Sequence, residues 1–298
     1  MKRVLKSYIE HVCGVENVTT DVPLSTKTSF KIGGAAKFFV VVKSKEKLVR
    51  LISALNFIGE SFFIIGGGTN ILASDSGYAG VIIKLGFCDI VDNQTFLYAD
   101  AGANLNTVVN FAKYKGLSGL EWAVGIPGTV GGAVYMNAGA YGGDVSQVVT
   151  LVDVLVDGKI ETMDATKLEF EYRSSIFQRN RDWVILGVYF YLRKRPKKEI
   201  EEKQLEFLQK RISTNPKLPN AGSIFKKPSE DFYVGKAIEE LGLKGYKVGG
   251  AMVSKEHAGF IVNKGKAKSE DVEKLIVYIK NKVKKKHGVE LEEEIVRV

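Results

Sequence analysis

The chain has 298 residues, 45% hydrophobic and 26% charged, enough apolar material for a full core spread over two domains or three. No apolar run approaches the roughly 20 residues of a membrane span, and Met1–Glu10 is too polar for a signal peptide, so the chain is expected to be cytoplasmic. Two distant cysteines, Cys13 and Cys88, and three histidines without ligand spacing give no expectation of a disulfide or a metal site, and the net charge of +9 lacks the interleaved aromatics of a nucleic-acid platform.

Taken in chain order, residues 36–65 predict a strand, a helix and a strand. Ser44 stands as N-cap, Leu48, Leu51, Ile52 and Leu55 repeat at helical spacing, and Ser61–Ile65 is a short apolar strand. That strand runs into Gly66-Gly67-Gly68-Thr69-Asn70, whose successive unhindered N–H groups form a plausible nest for a pyrophosphate. A Rossmann fingerprint would need its third glycine at Ile71, and no Gly-Lys pair is followed by Ser or Thr as a P-loop requires. A helix follows Asn104 with Leu105, Val108, Val109 and Ala112 inward, and Gly116 is placed to end it.

Seven glycines fall between Gly125 and Gly143, in a segment that still carries Ile126, Val130, Val134, Tyr135 and Met136 to pack. It reads as a buried glycine-built loop against which a large flat or anionic ligand lies, although a set of tight turns between strands would have the same composition. Asp157-Gly158 marks a type I′ hairpin between two strands, and Trp183–Leu192 is a long β-rich run ending in Arg193–Lys198, where the charge and Pro196 mark a domain junction. Residues 1–197 then form one region, with subdomains of about 1–65 and 66–197, and residues 198–298 a second.

Within the second region a helix is expected from about Glu199 to Ser213, another with Val234, Ala237, Ile238 and Leu241 inward, and a strand at Gly259–Val262. The last helix starts at the N-cap Ser269 and buries Val272, Leu275, Ile276, Ile279 and Val283, and a terminal strand around Val289–Val298 closes the domain. From Lys198 onward 21 Lys and Arg stand against 16 Asp and Glu, which suits a small anionic ligand held there by steering. The whole reads as α+β.

Seven stretches, in order, carry a family resemblance: Thr28–Gly34, Gly66–Asn70, Gly125–Gly143, Tyr172-Arg-Ser-Ser-Ile-Phe177, Ala221-Gly-Ser-Ile-Phe-Lys226, His257–Asn263 and Leu291-Glu-Glu-Glu-Ile295. Together they resemble the flavoenzyme family UDP-N-acetylenolpyruvoylglucosamine reductase of bacterial peptidoglycan synthesis. The resemblance implies an N-terminal FAD-binding region of the vanillyl-alcohol-oxidase type and a smaller C-terminal α+β substrate domain. It implies FAD as cofactor and NADPH and a UDP-sugar as small-molecule partners. Gly66, Gly67, Gly68, Thr69 and Asn70 would hold the FAD pyrophosphate, and Gly125, Ile126, Pro127, Gly128, Thr129, Gly131, Gly132, Asn137 and Gly139 would line the flavin.

By the same resemblance Arg173 and Glu294 stabilise the enolate that develops on the substrate, and Ser223 delivers the proton to its ether-bearing carbon. On composition alone Arg173 is a surface ion-pair partner, Ser223 a turn residue, and Glu294 one of four acids in Glu290–Glu294, facing the same way as Glu292 if the segment is a strand. Tyr172, Lys217, Lys227 and Asn263 are the further substrate-binding candidates. Where many relatives carry a lysine before the serine motif Thr214 stands here, and Lys217 is the candidate to replace it. The tyrosine-bearing insertion of the longer subtype is missing. No histidine occurs between His11 and His257 to tether a flavin, so FAD is expected to be non-covalent, and His257 itself reads as a packing residue.

Overall fold

A computed structural model describes residues 2–298. The chain divides into two compact units: residues 1–19, 38–67 and 80–212 form the first, and residues 20–37, 68–79 and 213–298 the second.

In the first unit the helix Lys45–Ile58 starts where Ser44 Oγ accepts the Lys47 N–H at 3.3 Å, and it buries the four predicted leucine and isoleucine side chains. It ends at Gly59, whose φ of +66° is a conformation glycine adopts without a Cβ penalty. The strands flanking it, Ala35–Val42 and Phe62–Ile65, are not neighbours: Tyr78–Leu85 lies between them and pairs in parallel with Phe62–Ile65. Asn104 caps the helix Leu105–Tyr114 by accepting the Thr107 N–H at 3.2 Å. An antiparallel five-stranded sheet follows in the order Lys159–Asp164, Val149–Val156, Val184–Tyr191, Phe96–Asp100, Ile90–Asn93. Its hairpin turns at Asp157 and Gly158, with φ of +48° and +78°, the double positive φ of a type I′ turn.

The helix Lys197–Thr214 packs with the first unit as far as Ile212, not with the region that begins at residue 198. Phe207 and Leu208 lie against the first core, Gln204 Nε2 donates to the Val109 carbonyl at 3.4 Å, and Arg211 Nε donates to the Val124 carbonyl at 3.1 Å. The proline and charges near residue 196 mark the end of a strand rather than the end of a packed unit.

The second unit has a four-stranded antiparallel sheet ordered Asn220–Ser223, Phe260–Asn263, Ala251–Val253, Lys247–Val248. Helix Ser269–His287 buries all five predicted apolar side chains. Its N-cap is Lys268, one residue earlier than expected. Asp271 Oδ2 accepts the Lys268 N–H at 3.0 Å, while the Ser269 hydroxyl donates to Asp75 at 2.8 Å and is unavailable as a cap. The two early segments join this unit because Phe30, Ile32 and Leu72 are buried in its core beside Ile224, Ile261 and Leu291. The terminal strand is only Val296–Arg297, paired in parallel with Ile71–Leu72; before it, Glu293 makes a single bridge with Phe225. Among the described residues no helix is long and apolar enough to cross a membrane.

Candidate active site

Gly68 is buried at φ +64°, and a Cβ there would fall 2.2 Å from the Lys27 carbonyl oxygen, so glycine alone fits. The Ser29 N–H donates to the Gly68 carbonyl at 2.9 Å, which closes the back of the turn. The N–H groups of Gly67 and Gly68 find no acceptor among the described residues. Asn70 also ties the protein to itself: its Nδ2 donates to the Glu294 carbonyl at 3.0 Å and its carbonyl accepts the Val296 N–H at 3.0 Å. On the first unit Gly66 meets the longer glycine segment, since a Cβ on Gly66 would lie 2.7 Å from Thr129 Oγ1. The two glycine runs, sixty residues apart in sequence, are thus in contact there.

The longer segment contains a short helix, Val130–Tyr135, which glycine content hid from the sequence reading. Thr129 Oγ1 caps it by accepting the Gly132 N–H at 3.3 Å, and the Gly131 N–H donates to the Ala101 carbonyl at 2.9 Å, an approach only a small residue allows. Most of the loop's backbone donors are consumed in its own construction: Gly125 N–H goes to Asn106 Oδ1 at 2.6 Å, Ile126 to Ala123 and Val130 to Ala103. Those of Gly128 and Thr129 have no acceptor among the described residues, while Pro127 has no N–H to offer. Asn137 is buried and structural: its Nδ2 donates to the Glu171 carbonyl at 2.9 Å and its Oδ1 accepts the Ser146 N–H at 3.0 Å.

Arg173 sits in a two-residue turn closed by reciprocal hydrogen bonds between Glu171 and Ser174, with φ of +56°, a left-handed conformation strained for an arginine. Gln178 Nε2 holds the Arg173 carbonyl at 3.0 Å, and the Ser175 hydroxyl anchors the segment to the Tyr135 carbonyl at 2.7 Å. The guanidinium donates to the Gly139 carbonyl at 2.6 Å and lies 4.9 Å above the exposed Tyr172 ring. Arg173 is therefore half-buried and aimed by the glycine loop, not a loose surface cation.

On the second unit Gly222 holds φ +80°, its N–H bound by Asn220 Oδ1 at 3.0 Å, and Ser223 follows opposite Phe260. The Glu294 N–H donates to the Ile224 carbonyl at 2.8 Å, which sets the backbone of Glu294 beside the residue that follows Ser223. The other acids of the run turn to lysines and an arginine: Glu290 pairs with Lys284, Glu292 with Lys226 at 2.6 Å, and Glu293 with Lys280 at 2.9 Å and with Arg297.

Asn263 is buried with both side-chain atoms engaged: Nδ2 donates to the Phe30 carbonyl at 3.1 Å, and Oδ1 accepts from Gly265 at 2.9 Å and Ala267 at 3.2 Å. Lys217 is exposed, and Lys227 lies 4.7 Å over the Tyr233 ring. His257 packs edge-on against Phe260 and accepts the Gly259 N–H through Nδ1 at 3.1 Å, and burial depresses its pKa. Asn106 and Arg211, which anchor the start of the long glycine segment, carried no motif; the only sequence signal was a polar side chain on an otherwise packing face.

Comparison with known proteins defines the class first. Residues 36–164 match the family described as FAD binding domain, and a structure of alkyldihydroxyacetonephosphate synthase shares the fold over 65% of this chain and 41% of its own, at a TM-score of 0.51 and 14% identity. Residues 214–298 match UDP-N-acetylenolpyruvoylglucosamine reductase, C-terminal domain. The enzyme of that name from Pseudothermotoga lettingae is 50% identical over 93% of this chain and 96% of its own, and that from Thermotoga maritima 44% identical over 91% and 95%. The crystal structure of UDP-N-acetylenolpyruvylglucosamine reductase from Thermus caldophilus superposes with a TM-score of 0.81 at 34% identity, covering 94% of this chain and 98% of its own. The chain belongs to the UDP-N-acetylenolpyruvoylglucosamine reductase family, and is an FAD-dependent oxidoreductase.

Proposed function

We propose that the chain uses NADPH to reduce the enolpyruvyl ether of UDP-N-acetyl-3-O-(1-carboxyvinyl)-glucosamine, giving UDP-N-acetylmuramate for peptidoglycan in the cytoplasm. FAD, held non-covalently, supplies hydride chemistry when bound. The residues fit it: the N–H of buried Gly68 and those of Gly67, Gly128 and Thr129 are unspent, and the backbone at Gly68 leaves no room for a side chain.

Hydride arriving at the vinyl carbon leaves negative charge at the ether-bearing carbon and its carboxylate. Arg173, whose planar fork can hold two oxygens at once, stabilises that charge, and Glu294 orients the same groups. Ser223 gives its hydroxyl proton to the ether-bearing carbon. Tyr172, Lys217 and Lys227 are left to steer the UDP moiety; Asn263, with its hydrogen-bonding capacity used, contributes only by fixing the backbone near Phe30.

The observation that carries this reading is the 2.8 Å hydrogen bond from the Glu294 N–H to the Ile224 carbonyl, which brings the expected acid and the expected proton donor's strand together on one unit. An anaerobic flavin spectrum tests it. Addition of NADPH should bleach the flavin and subsequent addition of the enolpyruvyl substrate should restore it; failure of either step sinks the proposal.

A further inference from the structure

The entry to the long glycine segment, residues 124–126, is fixed by side chains from two helices. Asn106, on the helix Leu105–Tyr114, reads the turn at two points: its Oδ1 accepts the Gly125 N–H at 2.6 Å and its Nδ2 donates to the Ile126 carbonyl at 3.0 Å. Arg211, on the helix Lys197–Thr214, donates from Nε to the Val124 carbonyl at 3.1 Å. Gly125 itself is at φ +74°, and a Cβ there would press on Arg211 Cδ at 3.0 Å and Leu208 Cδ1 at 3.2 Å.

The same arginine reaches the far end of the segment. Its guanidinium lies 5.2 Å over the ring of Tyr141, which is stacked on Phe207 with centroids 5.0 Å apart and planes 2° from parallel. Tyr141 is held at φ +52°, an unusual conformation for an aromatic residue that the stack and cation–π contact offset. One helix therefore ties the start of the glycine segment to Tyr141 near its end, and Asn106 fixes the first turn.

We propose that Asn106 and Arg211 are positioning residues that hold the glycine segment ready for FAD before the cofactor arrives. The inference rests on the reading that Gly125–Gly139 lines the flavin. Neither side chain needs to touch the cofactor: they remove the cost of ordering a seven-glycine loop from the binding step, since a loop already fixed loses little further entropy on binding. Because Arg173 donates to the Gly139 carbonyl, slack in this segment also reaches the arginine expected to face the substrate.

The test uses the full chain, stripped of flavin and titrated with FAD by fluorescence, with amide hydrogen exchange of the flavin-free protein measured in parallel. Asn106→Ala leaves the Gly125 N–H and the Ile126 carbonyl without partners, and FAD affinity should fall by roughly 10–100-fold. The Gly125 amide should exchange at least tenfold faster, and the visible flavin band should shift. Arg211→Lys keeps the charge but loses the planar donor that serves Val124 and Tyr141 together, and should weaken FAD by about tenfold. Should Asn106→Ala fail to fold, Asn106→Asp keeps the acceptor for Gly125 and reads the loss of the Ile126 bond alone. Affinity within twofold of wild type in these variants, or a lowered melting temperature with affinity and spectrum unchanged, overturns the proposal. If wild-type protein takes up no FAD, the flavin reading of the loop fails, and the exchange rate at Gly125 still decides whether Asn106 and Arg211 hold it.

Discussion

Asn70 donates through Nδ2 to the main-chain carbonyl of Glu294 at 3.0 Å, across 224 residues of sequence. With the Val296 N–H returning to the Asn70 carbonyl at 3.0 Å, this side chain fixes the register of the acidic run against the second unit's core. Asn70→Ala removes the donor and leaves that carbonyl unserved, at a cost of about 1–3 kcal/mol. Turnover should fall by roughly tenfold as Glu294 loses its register, and steady-state assays beside a thermal melt measure both.

Arg173→Lys should lower turnover on the order of 10² while the flavin stays bound, because lysine keeps the charge and loses the fork. Arg173→Gly separates chemistry from fold. Glycine adopts φ +56° without strain worth about 1 kcal/mol, which offsets the lost bond to Gly139. Its melting temperature should stay within about 4 °C of wild type while activity disappears. A large drop in melting temperature would show that Arg173 is chiefly a structural tie.

Ser223→Ala should divide the two half-reactions. Reduction of the flavin by NADPH needs no proton from Ser223 and should survive; reoxidation by the enolpyruvyl substrate should slow by roughly 10²–10⁴. Ser223→Cys should recover part of the rate. Stopped-flow absorbance follows both steps, and equal slowing of the two would remove Ser223 from the proton path.

Acid or heat should release the flavin into the supernatant, since no histidine stands between His11 and His257 to anchor it covalently. Flavin that remains with the precipitated chain would contradict the non-covalent assignment.

His257 gives a pH dependence whose sign follows from burial. Its folded pKa lies below the ordinary value of 6.5, chiefly because burial disfavours the imidazolium. The unfolded chain therefore takes up a proton first as pH falls, so the contribution to stability is complete above pH 6.5 and is lost progressively below it. Melting temperatures should decline between about pH 7 and pH 5 in the wild type. His257→Gln, which retains an acceptor for the Gly259 N–H, should flatten that decline; an unchanged slope would assign the effect to other groups.

Local signals proved legible where one residue decides the geometry. Ser44 caps the helix it was expected to cap, a helix does follow Asn104, Asp157-Gly158 makes its hairpin, and the five apolar side chains of the last helix are buried. Long-range competition hid the rest. Ser269 reads as a cap until Asp75 claims its hydroxyl, and the helix from Lys197 joins the first unit through Gln204, Phe207 and Arg211, which share one helix face but include two polar side chains that no apolar pattern picks out. Asn263 looks like a ligand contact in its motif, yet serves the backbone of Phe30, Gly265 and Ala267.

The pairing of Ile71–Leu72 with Val296–Arg297 also has a cost in time. A ribosome adding about 5–20 residues per second needs roughly ten to fifty seconds to travel from one strand to the other. Through that interval Phe30, Ile32 and Leu72 have emerged without Leu275, Ile279 and Leu291, the side chains that bury them. The second unit is thus closed only once residues near 298 have been made, and its early segments wait until then for their packing partners.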